Sequence, residues 1–135
     1  MKYLKIFSLA DHPQEVSFLE TSSVNKKVEC DVYSFINDDE KDLGIIKIKA
    51  GGKTPLQKIL KGKKTIEGYV SGVGSLTVNE EGGQKKVYKV NEDTKSFSVD
   101  LSIGDTMQWS ASRDSELVAY EVCYPPYEDG RFEDL

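Results

Sequence analysis

Three polar side chains alternate along one short stretch of the chain and are expected to share a face. Thr65, Glu67 and Tyr69 stand two residues apart in the segment KTIEGYVSG, and residues with that spacing point the same way on a β-strand. If their face lines the inside of a barrel, a carboxylate and a phenol point into its cavity. Such a pair suits a hydroxyl-rich ligand.

A further acid lies inside an apolar segment near the end of the chain. Glu121 shares a strand face with Ala119 and Cys123. A carboxyl group buried in such surroundings must be paired or neutral, so Glu121 is a candidate pocket acid. The alternative is a structural ion pair with Arg113 or Arg131.

One aromatic residue is also a candidate ligand contact. Trp109 follows the turn at Gly104 and Asp105, where an aromatic ring at a barrel mouth would stack on a sugar. A position in the core is the more common environment of such a side chain, and we favour it for Trp109.

Five lysines and no acid fall within residues 53–64. One interpretation is a basic rim that attracts an anionic ligand such as a phosphate or a uronate. The simpler interpretation, which we favour, is a solvated loop on an otherwise acidic protein. The five are Lys53, Lys58, Lys61, Lys63 and Lys64.

Short alternating segments separated by turn residues are predicted to be the strands that position these side chains. They cover residues 3–7, 28–36, 43–50, 73–79, 85–90, 96–103, 106–110 and 117–124, and residues 50–79 read as strands separated by glycine turns. Residues 11–13 and 37–42 are predicted turns. About eight short strands without an amphipathic helix indicate an all-β sandwich or barrel.

The alternation also assigns faces. It places one set of side chains together on the second predicted strand and another set inside the barrel. The first set is Val28, Cys30, Val32 and Ile36, and the second is Phe97, Val99, Leu101 and Ile103.

The C-terminal tail, residues 125–135, is predicted to wrap the barrel or a neighbouring subunit. Its two prolines lack a ladder donor, so it cannot be a central strand. Tyr127, Phe132 and Leu135 are its expected apolar anchors, and Arg131 supplies a fixed charge.

Length and charge limit the function classes. A chain of 135 residues is expected to form one domain, with residues 1–42 packing on a barrel core of residues 43–124. The net charge of −5 argues against sequence-independent nucleic-acid binding. Neither a long apolar run nor a signal peptide is present, so we expect a cytoplasmic protein that does not span a membrane.

The two cysteines, Cys30 and Cys123, are interpreted as buried structural thiols rather than a disulfide. Together with the single histidine, His12, they cannot form a closed structural zinc site.

Residues 43–135 resemble the cupins, which are small jelly-roll β-barrels. The first cupin motif places two histidines and a glutamate between two glycines. The same spacing runs through this chain, with other residues at all three ligand positions. The five matching positions are Gly52, Lys58, Leu60, Thr65 and Gly72.

The second cupin motif is matched only at its start. Counting from Gly104, the position of the third histidine holds Ser115. The resemblance implies a cupin-type jelly roll of about eight or more antiparallel strands, a Lys58 side chain pointing into the barrel and a homodimer. Because all the ligand histidines are replaced, we expect neither metal nor cofactor.

Three functions remain open. The first is a metal-free cupin that binds a polar, anionic or sugar-like small molecule through residues near the cavity. Those residues are Lys58, Thr65, Glu67, Tyr69, Trp109 and Glu121. The second is a metal-independent carbohydrate isomerase, epimerase or lyase, in which Lys58 or Glu67 would be the tuned base; the catalytic residues are otherwise unknown. The third is a structural or interaction module with a packed barrel, for which the tail is the docking segment. Separately, the alternative to a ligand-binding Glu67 is an ion pair with Lys58 that replaces the metal.

Overall fold

The computed structural model describes residues 4–9 and 11–135, and these residues form strands and turns without a helix. The all-β prediction is therefore confirmed. None of the described residues belongs to a helix that could cross a membrane. The strands are β1 (Ile6–Leu9), β2 (His12–Asn25), β3 (Val28–Phe35), β4 (Asp38–Ile48), β5 (Gln57–Ile59), β6 (Lys64–Gly72), β7 (Gly74–Asn79), β8 (Lys85–Val90), β9 (Ser98–Leu101), β10 (Thr106–Ala111), β11 (Leu117–Tyr124) and β12 (Phe132–Asp134).

The strands build two antiparallel sheets that face each other. The larger sheet has the order β1-β2-β3-β4-β11-β6-β9, and the smaller has the order β12-β5-β10-β7-β8. Apolar side chains from both sheets fill the space between them, among them Ile48 and Leu117 from the larger sheet and Leu76 and Trp109 from the smaller. The face of each sheet that points into this space is called the inner face below.

A second core covers the outer face of the larger sheet. Tyr33, Leu43 and Val122 are buried there, and the ring of Phe7 on β1 packs edge-to-face on Tyr120 of β11 at 4.9 Å. Since β1 lies beyond the β2 edge of the sheet, this contact requires the N-terminal hairpin to curl back over it. Two register shifts in β2 provide the bends, because extra residues in one strand increase its curvature.

Burial on both faces explains the apolar character of β11. Its residues alternate between the two cores, and its sequence is apolar except at Glu121, as expected for a strand buried on both sides.

The sequence missed β2 and misplaced several boundaries. β2 begins at His12 within the predicted turn 11–13, and β4 begins at Asp38 within the predicted turn 37–42. Most of β2 is exposed, so its sequence carries little apolar periodicity. Residue 3 of the predicted strand 3–7 lies outside the described residues, and β1 begins only at Ile6 and continues to Leu9.

One predicted inward position is wrong, since Ile103 is 50% exposed. Ile36, which was predicted to share a face with Val28, is 42% exposed whereas Val28 is buried. Each lies just beyond the end of its strand, where the alternation no longer determines the side-chain direction.

The tail ends as an edge strand, since β12 pairs only with β5. Of its expected apolar anchors, Phe132 packs on the core, whereas Tyr127 and Leu135 are exposed and do not anchor the tail within this chain. Arg131 is 1% exposed. It anchors the tail, whereas the sequence predicted only that it supplies a fixed charge.

Candidate functional site

Two glutamates face each other on the inner face of the larger sheet. Glu67 on β6 pairs in register with Glu121 on β11. The same row continues through Gly44 on β4 and Val32 on β3. Directly opposed residues on one sheet face have Cβ atoms only about 5 Å apart, so these carboxyl groups are neighbours.

The adjacent row is polar as well. Thr65 pairs with Cys123, Cys123 with Asp42 and Asp42 with Ser34. Towards the other end of the strands, the same face carries apolar residues such as Ile46 and Ala119. The inner face is therefore polar at one end and apolar at the other, and we call the two rows of the polar end the polar half.

A hydrogen bond joins the two sheets at the polar half. Trp109 on β10 is 1% exposed, Glu67 is fully buried, and the indole Nε1 donates to Glu67 Oε1 at 2.7 Å. The core position favoured for Trp109 is confirmed, and its polar atom has the partner that a buried indole requires.

The other oxygen of Glu67 has no donor among the described residues. Burial, the negative charge of Glu121 and a hydrogen bond between the two carboxyl groups raise the pKa of Glu67 well above its ordinary value. Two carboxyl groups can share a hydrogen bond only if one of them carries a proton. Glu67 is thus a neutral acid beside the carboxylate of Glu121.

Glu121 lies between this buried acid and the solvent. Its side chain is half-buried, and the Cys123 thiol donates a long hydrogen bond of 3.5 Å to its Oε1. Val32, Ser34 and Asp42 of the same polar half are also half-buried. Solvent therefore reaches this part of the inner face along β3, β4 and β11.

Both cysteines are free thiols. Burial, followed by the charge of Glu121, raises the pKa of Cys30 and of Cys123. The Cys30 sulfur occupies the space above Gly44, where an added Cβ would lie 2.9 Å from it. Strand β4 separates the two cysteines, and they lie in different rows, so they are too far apart for a disulfide.

The tail closes one side of the polar half. The Tyr127 amide donates to Asp42 Oδ2 at 2.9 Å. The buried Arg131 guanidinium donates to the carbonyls of Pro125, Tyr124 and Lys64 at 2.7–3.0 Å. These bonds hold the tail against β4 and against the ends of β6 and β11.

Comparison with solved structures identifies the architecture. A structure of the capsular polysaccharide assembling protein CapF from Staphylococcus aureus superposes with a TM-score of 0.66 at 18% identity, over 87% of this chain and 31% of that one. A cupin-2 domain protein from Rhodospirillum rubrum superposes at 0.64 with 15% identity, over 90% and 75%. A variant of Bacillus subtilis oxalate decarboxylase superposes at 0.70 with 12% identity, over 87% and 30%.

The chain has the cupin fold. At these identities the likeness concerns the fold alone, and the chain spans about a third of the length of CapF. No family profile matches the sequence, and no curated protein matches it. The predicted jelly-roll architecture and the resemblance to cupins are confirmed.

The cupin barrel brings some of the predicted site residues together and leaves others apart. Glu67, Trp109 and Glu121 meet at the polar half, with Thr65 in the adjacent row. Tyr69 lies on the same face, but its hydroxyl donates to the Gly72 carbonyl at 2.8 Å. Whether these side chains bind a ligand stays a prediction.

Lys58 does not point into the barrel. Its neighbour Ile59 is 1% exposed in the core, so Lys58 lies on the opposite, outer face of β5. The expected ion pair with Glu67 is not formed. Lys58 occupies a metal-ligand position when residues are counted along the cupin motif. In the structure that position lies on the outer face of the short strand β5.

The arginine partners expected for Glu121 are also absent. Arg131 is committed to backbone carbonyls, and neither it nor Arg113 forms an ion pair with a carboxylate of the described chain. The polar partner of Glu121 is instead the Cys123 thiol.

The polar half does not fit the metal that the cupin fold often holds. Among the described residues, no three histidine, cysteine or carboxylate side chains are grouped so that they could hold a metal ion. Burial and the charge of Glu121 raise the pKa of Glu67, which disfavours the ionised form that binds a metal, and Asp42 already accepts from Tyr127.

Sequence reasoning missed Asp42, Ser34 and Gly44 as members of this site. Asp42 was assigned to a turn, and Gly44 has no side chain to signal a role. The Val28–Phe35 alternation did contain Ser34, but nothing in the sequence shows which end of the barrel is polar.

A separate open groove of about 570 Å³ is lined mainly by Leu4, Ile6, Val16, Phe18 and Ile36. It belongs to the N-terminal hairpin and includes none of the predicted site residues.

Proposed function

We propose that this cupin binds a polar small molecule, a sugar or sugar derivative, at the polar half of its inner face and without a metal. The observation that carries the proposal is the half-buried Glu121 carboxylate backed by the buried Glu67 acid. A carboxylate in a partly desolvated site is a strong acceptor for ligand hydroxyl groups. Ser34 and Asp42 extend the polar surface into the adjacent row.

The composition of the site favours a hydroxyl-rich ligand over an anionic one. Its charged groups are acids, and the nearby guanidinium of Arg131 is occupied by carbonyls. Capsular polysaccharide assembly, named for the S. aureus neighbour, is sugar chemistry and supports this ligand class.

The test is native mass spectrometry of the protein purified from its own host, as the wild type, Glu121→Gln and the control Glu116→Gln. Glu116 is an exposed acid outside the site. We expect a discrete small-molecule adduct and no stoichiometric metal on the wild type and on the control, with the adduct lost from Glu121→Gln.

Two outcomes would overturn this proposal. A stoichiometric metal would refute the metal-free part. A bare wild-type protein that also gives no saturation-transfer NMR signal with a panel of neutral and acidic monosaccharides would refute sugar binding.

One observation favours a second candidate, a metal-independent carbohydrate isomerase, epimerase or lyase. A carboxylic acid and a carboxylate in contact provide a proton donor and acceptor in one site. In an aldose–ketose isomerisation, Glu121 would move a proton from the carbon beside the carbonyl to the carbonyl carbon. Glu67 would give its proton to the carbonyl oxygen and take one from the neighbouring hydroxyl, so that every proton is accounted for.

Incorporation of solvent deuterium into sugars, followed by NMR in D₂O, tests this candidate. Glu67→Gln and Glu121→Gln should abolish the exchange, and Lys58→Gln, on the outer face, should not. Exchange that survives both glutamate substitutions would show that the pair is not catalytic.

We also propose that the protein is a homodimer. The native mass spectrometry described above measures the number of subunits.

A further inference from the structure

The outer face of the smaller sheet carries lysines at regular positions. Met107 and Val78 are buried in the core, so their strand neighbours Thr106 and Asn79 point outward. Lys58 pairs with Thr106, Thr106 with Asn79 and Asn79 with Lys85. This row therefore has a lysine at each end and two polar residues between them.

A second row repeats the arrangement four residues further along β10. Lys53 bridges Ser110, Ser110 pairs with Ser75 and Ser75 with Lys89. Between the two rows, Gln108, Thr77 and Val87 form a third. Four lysines thus frame a floor of hydroxyl and amide groups, and we call this surface the lysine frame.

The spacing follows from sheet geometry. Three strand steps separate the lysines of one row, and four residues separate the rows, so the frame measures roughly 14 Å by 14 Å at the backbone. The polar floor residues are half-buried and the outer lysines of β8 are exposed. The surface is therefore open to solvent.

The lysine frame is positively charged on a protein whose net charge is −5. Within the described residues, none of its four lysines forms an ion pair. Glu133, opposite Lys58, is the one acid of these rows. Other acids, such as Glu80 and Asp105, lie outside the frame, on the far side of the row from Lys58 to Lys85. The charge is therefore concentrated on this face rather than balanced there.

We propose that the lysine frame binds an acidic polysaccharide, an extended glycan that carries carboxylate or sulfate groups. The lysines match its charges, and the hydroxyl and amide floor matches its sugar hydroxyls. A solvent-exposed face roughly 14 Å across can contact several units of an extended polymer, whereas the polar half inside the barrel fits a small molecule. This site is separate from the one in the proposed function.

Other partners fit the frame less well. It contains no aromatic side chain on which nucleic-acid bases would stack. Val87 is its one exposed large apolar residue, so the face lacks the apolar centre of a protein interface and the apolar surface that inserts into a membrane.

The experiment measures binding of the full chain to polygalacturonate and to heparin by isothermal titration calorimetry, with dextran as the neutral polymer. The test variant is Lys85→Gln with Lys89→Gln, and the control is Lys26→Gln with Lys95→Gln. All four lysines are exposed, so both double variants change the net charge equally.

We expect binding to at least one acidic polymer, no binding to dextran, and about tenfold weaker binding in the test variant only, since each exposed ion pair contributes modestly. Added salt should weaken it further. The proposal is overturned if neither acidic polymer binds, if both double variants weaken binding equally, or if duplex DNA or phosphatidylserine vesicles bind more tightly than either polymer. None of these outcomes bears on small-molecule binding inside the barrel.

Discussion

Glu67 and Glu121 stand directly opposite each other on β6 and β11, and the first is a buried neutral acid while the second reaches towards solvent. Burial, the charge of Glu121 and a hydrogen bond between the two carboxyl groups raise the pKa of Glu67 and so favour a proton on this pair. Such a proton links the folding of the chain to pH.

The first prediction concerns the pH dependence of stability. Because the pKa of Glu67 is raised on folding, the native state binds more protons than the unfolded state above the ordinary carboxyl pKa of 4.5. The free energy of unfolding should therefore fall as pH rises from that value, by up to about 1.4 kcal/mol per pH unit for this group. Urea denaturation between pH 5 and 8 measures the slope.

Glu67→Gln is the matched variant for that measurement, since its amide can accept from Trp109 and donate to Glu121. We expect a shallower slope and a stability at pH 8 at least equal to that of the wild type. The raised pKa of Asp42 should leave a smaller slope of the same sign. An unchanged slope in Glu67→Gln would contradict a neutral Glu67.

Trp109 should report the ionisation of Glu67 directly. It is the single tryptophan of the chain, and its Nε1 donates to Glu67 Oε1. Its fluorescence should change with pH as Glu67 loses its proton, at a pH above the ordinary carboxyl range, and this change should be absent in Glu67→Gln. A transition that persists in that variant would assign the titration to another group.

Removing the indole donor should be costly. Trp109→Phe leaves Glu67 Oε1 without the 2.7 Å hydrogen bond, and a buried acceptor without a partner costs about 1–3 kcal/mol, in addition to lost packing. Circular dichroism during urea denaturation measures the loss. In Glu67→Ala the same substitution should cost less, because the acceptor is already gone; an equal cost would mean that the hydrogen bond contributes nothing.

The sequence predicted the architecture well because it depends on alternation and turns. Strands β8 and β11 match their predicted ranges, and Thr65, Glu67 and Tyr69 do share the inner face. Whether two residues share a strand face depends only on their spacing within that strand, so this prediction holds even where other strands are wrongly placed.

The details of the site depend on long-range pairing, which one strand's sequence does not contain. Asp42 meets Cys123 only because β4 and β11 pair in one register. Lys58 pairs with Thr106 on the outer face of the smaller sheet, although its position in the cupin motif predicted that it points into the barrel. The curled strand β2 was missed because its residues are largely exposed.

Arg131 should be essential for tail docking. Its guanidinium donates to three backbone carbonyls, and an added Cβ at Gly62 would lie 2.6 Å from it. Arg131→Met would leave those carbonyls without this donor and should lower the free energy of unfolding by about 3 kcal/mol. Limited proteolysis should then cut the tail first. The exposed Arg113→Met is the control, and equal resistance of both variants would contradict this role.

The cysteines should be poor nucleophiles in the folded chain. Burial raises the pKa of both thiols, and labelling reagents react with the thiolate. At pH 8, 5,5′-dithiobis(2-nitrobenzoate) should react with the native protein at least about tenfold more slowly than with the urea-unfolded protein. The single variants Cys30→Ser and Cys123→Ser assign the two rates, and Cys123, at 2% exposure, should be the slower. Rapid labelling of Cys123 in the native state would show that the polar half is more open than its contacts indicate.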